Sequence, residues 1–160
     1  MKKKISFDYD KETGLTIAQL RTPKGTFFGM SQQHPDDPFP PSETIGCEIA
    51  EARAYINFIN DQIYDKNNEL KGLKRLLYAI PVGAKNRCYT ERLYKTITFE
   101  INDLKDEKRN WKAKINHLIE ARGVYIRSRS ATKEEKEKMR AAIAEGFKSI
   151  SQVKTAKEEE

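Results

Sequence analysis

The chain has 160 residues, 38% hydrophobic and 34% charged, with 30 Lys/Arg against 24 Asp/Glu and a formal net charge of +6. That length fits about one domain, and a charged fraction above the roughly 25% usual in globular proteins favours helices with large solvated faces over a thick layered core. The longest apolar run, residues 76–82, falls far short of the roughly 20 residues of a membrane span, and Cys47 and Cys88 form neither a CxxC metal motif nor a disulfide framework.

The basic start Met1 to Lys4 leads into Ile5-Ser6-Phe7-Asp8 and not into an apolar signal core, so a soluble, cytoplasmic protein is expected. Residues 81–129 hold twelve Lys/Arg against six Asp/Glu, which equals the whole excess of positive charge. A basic second half therefore faces any anionic partner.

Residues 1–41 read as a β-meander with a connector. Ile5, Phe7 and Tyr9 alternate on one face of a first strand, Leu15 and Ile17 start a second, and Thr26, Phe28 and Met30 mark a third. Lys11-Glu12-Thr13-Gly14 and Thr22-Pro23-Lys24-Gly25 have turn chemistry between them. The single apolar face of such a sheet must be covered by the rest of the chain or by a partner. Four prolines between Pro35 and Pro41 exclude helix and central strand there, and Ser42 is a helix N-cap with Glu43 and Glu48 behind it.

From Ile45 the period becomes seven. Ile45, Ile49, Ala52, Ile56, Ile59, Ile63, Leu70, Leu73, Leu77 and Ile80 follow steps of three and four, which predicts a helix of about 38 residues, roughly 57 Å long. Pro81 and Gly83 end it. Thr90 is the expected cap of a second helix, whose stripe is Tyr94, Ile97, Ile101, Leu104, Lys108, Trp111, Ile115, Leu118, Arg122 and Tyr125. Matching stripes joined by a short loop predict a coiled-coil-like antiparallel hairpin over residues 42–128. Cys47 and Cys88 should then lie at opposite ends of a rod, beyond disulfide reach. Lys66, Lys108 and Arg122 occupy seam positions, where they either reach outward with buried stems or face an anion or a second chain. A capping box at Thr132-Lys133-Glu134-Glu135 and the face Met139, Ile143, Phe147 and Ile150 predict a C-terminal amphipathic helix over 131–154, packed into one unit with the rest. The fold class is α+β.

No phosphate loop, dinucleotide-binding glycine pattern, HExxH, nucleophile elbow or kinase signature occurs. His34-Pro35-Asp36-Asp37 has the groups of a metal site, but proline crowding favours a turn in which the aspartates accept backbone hydrogen bonds. His117, beside Leu118, sits at a helix surface or core edge. Without a paired base, acid or nucleophile, a protein that binds and does not catalyse is expected, with no metal and no cofactor. Around the second helix, Arg87, Tyr89 and Arg92 are followed by Lys105, Lys108, Arg109, Trp111, Lys112 and Lys114. Aromatic rings beside guanidinium groups suit a nucleotide, while the position of Trp111 in the heptad stripe favours core packing for that ring. The lysines interleave with Glu100, Asp103, Asp106, Glu107 and Glu120, which disfavours a continuous nucleic-acid track.

The run from Phe28 to Ala54 resembles a pattern in small proteins of bacteriophages and prophages, carried by Gly29, His34, Pro35, Asp37, Ser42, Glu43, Gly46, Ile49, Ala50, Arg53 and Ala54. A small N-terminal sheet followed by long paired helices is also similar to the Thoeris anti-defence sponges, phage proteins that oligomerise and sequester nucleotide signals without cleaving them. The resemblance implies a homo-oligomeric counter-defence protein, acting in the cytoplasm of an infected bacterium, that captures a cyclic ADP-ribose-type signal. Arg53, Tyr89, Arg92, Arg109 and Trp111 are the ligand-binding candidates on chemical grounds. The alternatives are a phage inhibitor or structural coiled coil that binds a host protein such as a defence nuclease, and a basic nucleic-acid-binding protein.

Overall fold

A computed structural model describes residues 3–124 and Ala141. Strands β1 (Lys4–Tyr9), β2 (Thr16–Thr22) and β3 (Gly25–Ser31) are followed by helices α1 (Glu43–Ala79) and α2 (Lys85–Glu120). The predicted helix over 131–154 lies outside the described residues, save Ala141, which is helical.

The strands form an antiparallel meander in the order β1-β2-β3. The first turn is built on Asp10, whose carboxylate accepts from the Glu12 amide (2.9 Å) and the Thr13 hydroxyl (2.7 Å). Those hydrogen bonds, the Thr13 one foremost, hold the Asp10 carboxyl below its ordinary pKa. Gly14 closes the turn at φ 66°. The second turn is the two-residue Pro23-Lys24 link between paired Thr22 and Gly25.

Register decides which face meets α1. Thr16, Ala18 and Leu20 of β2 stand opposite Ser31, Gly29 and Phe27 of β3, and Ala18 and Leu20 pack on Ala50, Ala54 and Phe58 of α1. The face of β3 toward α1 is thus Phe27, Gly29 and Ser31, while Thr26, Phe28 and Met30 lie on the reverse. Close approach is the physical reason. A Cβ added at Gly29 would collide with the Ala50 carbonyl oxygen and the Ala54 amide, and one at Gly46 would collide with Thr16 Oγ1. Glycine on the strand and alanine on the helix let two backbones touch where larger side chains would hold them apart.

The open edge of β3 is also closed by α1. Arg53 donates to the Met30 carbonyl (2.5 Å) and Asn57, one turn on, to the Phe28 carbonyl (2.7 Å). Further along, Lys24 pairs with Asp65 at 2.6 Å. Unpaired edge carbonyls invite pairing with another chain, and side-chain donors at i and i+4 remove that invitation.

The opposite side of α1 carries the predicted seam. Ile49, Ala52 and Ile115 form one buried cluster with Ile45, Ile56, Trp111 and Leu118 packed around it. Leu73, Ile97 and Ile101 form a second with Ile63, Leu70 and Tyr94. Ser42 caps α1 as expected, its hydroxyl accepting from the Ile45 amide. The start of α2 differs from expectation. The helix begins at Lys85, and Thr90 lies inside it with its hydroxyl on the Asn86 carbonyl (2.9 Å). No helix breaker separates Lys85 from Thr90, and the reversal is complete within residues 80–84, where Gly83 takes φ 91°. Arg87 seals the corner by donating to the Leu77 and Ile80 carbonyls (3.1 and 2.8 Å), which the end of α1 leaves unpaired. Cys47 and Cys88 are both free.

The three seam cations have separate fates. Lys66 reaches Glu100 across the hairpin, and Lys108 is half-buried. Arg122 does not reach out into solvent. It lies just past α2 and binds Asp37 of the connector at 2.8 Å, with only 15% and 8% of the two side chains exposed. Together with its bond to the Pro40 carbonyl (2.5 Å) and its position 5.2 Å from the Phe39 ring centre, this fastens the proline-rich segment to the end of the hairpin.

Candidate functional site

Where the connector, the β3 end, the first turns of α1 and the end of α2 meet, they enclose a cleft of about 120 Å³ lined by Ser31, His34, Asp37, Ser42, Gly46, Arg53 and Arg122, among others. Its floor follows from the packing just described, since Gly46 must be glycine for α1 to sit on Thr16, and that seating brings the N-terminus of α1 to the cleft. The first-turn amides and the helix dipole make this end attractive to anions.

Arg53 is the least satisfied charge there. Burial lowers the pKa of its guanidinium, and no carboxylate pairs with it among the described residues. A guanidinium has five N–H donors, and the Met30 carbonyl accepts from only one nitrogen. The remaining cleft ions are engaged with one another. Burial pushes the Asp37 carboxyl up, but the Arg122 hydrogen bond, the Phe39 amide and the charges of Arg122 and His34 together outweigh it and hold the carboxyl below its ordinary pKa. The His34-Pro35-Asp36-Asp37 segment is a turn, as its prolines imply. His34 Nδ1 accepts from the Asp36 amide (3.1 Å), and Asp37 accepts from the Phe39 amide (2.9 Å). Among the described residues no group of histidine, cysteine and acidic side chains could hold a metal ion.

The candidate ligand residues are not brought to one place. Arg53 lines the cleft. Trp111 is half-buried in the helix seam, stacked on Tyr55 with ring centres 4.8 Å apart and planes within 3°. Burial, reinforced by Glu51 and Glu107, raises the Tyr55 phenol pKa. Arg109 is exposed and pairs with Asp106 on its own helix. Tyr89 and Arg92 are exposed near the far end of the hairpin. The cross-helix contacts Tyr55–Trp111 and Lys66–Glu100 set Arg92 near the level of Leu73, about 20 residues along α1 from Arg53, or roughly 30 Å.

Sequence reasoning missed Ser31, Asp37 and Arg122 as cleft residues. Arg122 carried a signal, a cation in an apolar seam position. Its partner, 85 residues earlier in the connector, was legible only as part of a turn motif, with nothing to point it at Arg122.

Comparisons with protein families, curated proteins and solved structures find no match.

Proposed function

We propose that this protein is a non-catalytic binder that captures a small phosphate-bearing ligand in the cleft at the start of α1. The observation that carries this reading is Arg53, a half-buried guanidinium with no carboxylate partner among the described residues, which lines a cleft that also reaches the N-terminus of α1. The cleft has room for a phosphate or pyrophosphate group, so the nucleoside parts of a larger ligand lie outside it. A cyclic ADP-ribose-type immune signal has this chemistry and is the ligand implied by the resemblance to the Thoeris anti-defence sponges. The engagement of Asp37 with Arg122 and of His34 with the Asp36 amide favours holding a ligand over transforming it, because neither group stands free as an acid or base.

The test is thermal unfolding with inorganic pyrophosphate, ADP-ribose and cyclic ADP-ribose isomers, followed by mass analysis of the ligand released on heating. A raised melting temperature with chemically intact ligand is expected. Arg53→Lys, which keeps the charge and loses the fork, should reduce the shift. Asn57→Ala, which removes the neighbouring edge hydrogen bond away from the cleft, should keep it. No shift with any member of the panel overturns the reading.

A further inference from the structure

Three-dimensional placement of the charge differs from its placement along the chain. Residues 67–99, the half of the hairpin beyond the sheet, contain seven Lys/Arg against two acids, Glu69 and Glu91, so +5 of the net +6 resides there. Three of those cations, Lys71, Lys74 and Arg75, belong to α1, which sums to −1 over its whole length. The acids that break up the basic pattern of α2, from Glu100 to Glu120, all lie in the other half.

Tyr64, three residues before this half, is 66% exposed, and the half itself exposes Tyr78 83%, Val82 89% and Phe99 70%. On its surface a groove of about 380 Å³ is lined by Tyr64, Asn67, Asn68, Lys71, Lys74 and Tyr94, with Leu70 at its base. Tyr64, Asn67, Lys71, Lys74 and Tyr78 follow helical steps of three and four on one side of α1. None of these side chains makes a hydrogen bond or ion pair among the described residues.

We propose that this groove binds single-stranded nucleic acid. Tyrosine rings stack on bases irrespective of sequence, asparagine amides meet base edges, and lysines neutralise the phosphates that follow. Lys85, Arg92 and Lys95, around the rest of the hairpin end, add to the field that draws the strand in. Other occupants fit less well. An anionic lipid surface would leave the Asn67 and Asn68 amides against hydrocarbon, a second copy of the chain would bring +5 against +5, and duplex DNA has no use for exposed stacking rings.

Fluorescence anisotropy with a labelled 20-nucleotide oligo(U) tests this on the full chain. Binding at 50 mM salt should weaken with a log–log salt slope of roughly −2 to −3.5, for three to five neutralised phosphates. Lys71→Glu with Lys74→Glu should weaken binding at least about tenfold, and Tyr64→Ala by about fivefold or more, the size of one lost stacking contact. These three side chains are exposed, so the variants keep the fold. Arg53→Lys should bind as the parent does, which separates this surface from the cleft. Absence of binding at 50 mM salt, indifference to the charge reversal, or equal binding to duplex or anionic vesicles that survives Tyr64→Ala overturns the proposal.

Discussion

Replacing Arg122 by methionine tests whether the connector is held by charge. The parent pair is nearly enclosed, with 15% and 8% of the side chains exposed, and breaking a buried pair from one side costs about 3–5 kcal/mol because the other charge is left behind. Asp37 keeps the Phe39 amide as a donor, which offsets part of that loss, and methionine still covers Phe39. About 2–3 kcal/mol is therefore expected in urea unfolding at pH 7. The pH dependence gives the sharper outcome. The folded pKa of Asp37 lies below its ordinary 3.8, so the stability it contributes is present above that ordinary value and is lost as pH falls through the folded one. The difference between parent and Arg122→Met should accordingly shrink as the pH is lowered below about 4. Adding Asp37→Asn to Arg122→Met should recover part of the loss, since the abandoned carboxylate is then gone. A cost below about 0.5 kcal/mol at pH 7, or one that does not change down to pH 2.5, refutes the assignment.

Gly29→Ala should destabilise by about 3 kcal/mol or more, at the upper end for overpacking, because the obstructing atoms belong to the α1 backbone and cannot rotate away; chemical denaturation reads this. Thr16→Val should be neutral or stabilising by up to about 1 kcal/mol, since Thr16 Oγ1 is buried without a hydrogen-bond partner among the described residues, and a loss of more than that would show that the hydroxyl has a partner. With a thiol-specific reagent at pH 8, Cys88 should react well before Cys47. Burial and the nearby Glu43 and Glu51 raise the Cys47 thiol pKa, whereas Cys88 is exposed. Peptide mapping after partial labelling gives the order.

Periodicity made most of this fold legible. Alternation located three strands, and the step from period two to period seven at Ile45 located the hairpin and both seam clusters. What it could not show is that α1 has two working faces. Ala50, Ala54 and Gly29 carry no hydrophobic signal of note, yet their smallness brings the helix onto the sheet. The same limit applies to Thr90, a sound cap by chemistry in a stretch where nothing stops the helix from starting earlier. The cleft depended on a contact between Asp37 and Arg122 that no local pattern encodes, and the distal groove on Lys71 and Lys74, whose charge is cancelled by the acids of the first half of α1 when the helix is summed whole.

The fold accounts for most of the polar and small residues between Phe28 and Ala54. Gly29, Ala50 and Ala54 set the helix–sheet distance, Gly46 admits Thr16, Ser42 caps α1, and His34 and Asp37 shape the connector turn. Each has a packing or capping role that any protein with this junction would require. Arg53 differs, because its bond to Met30 uses a single nitrogen of a half-buried guanidinium, and a neutral donor such as the amide of Asn57 meets the equivalent need one turn on. A partly desolvated positive charge is the more expensive way to close a strand edge. The proposed anion would complete it, and the Arg53→Lys and Asn57→Ala pair separates that role from edge closure alone.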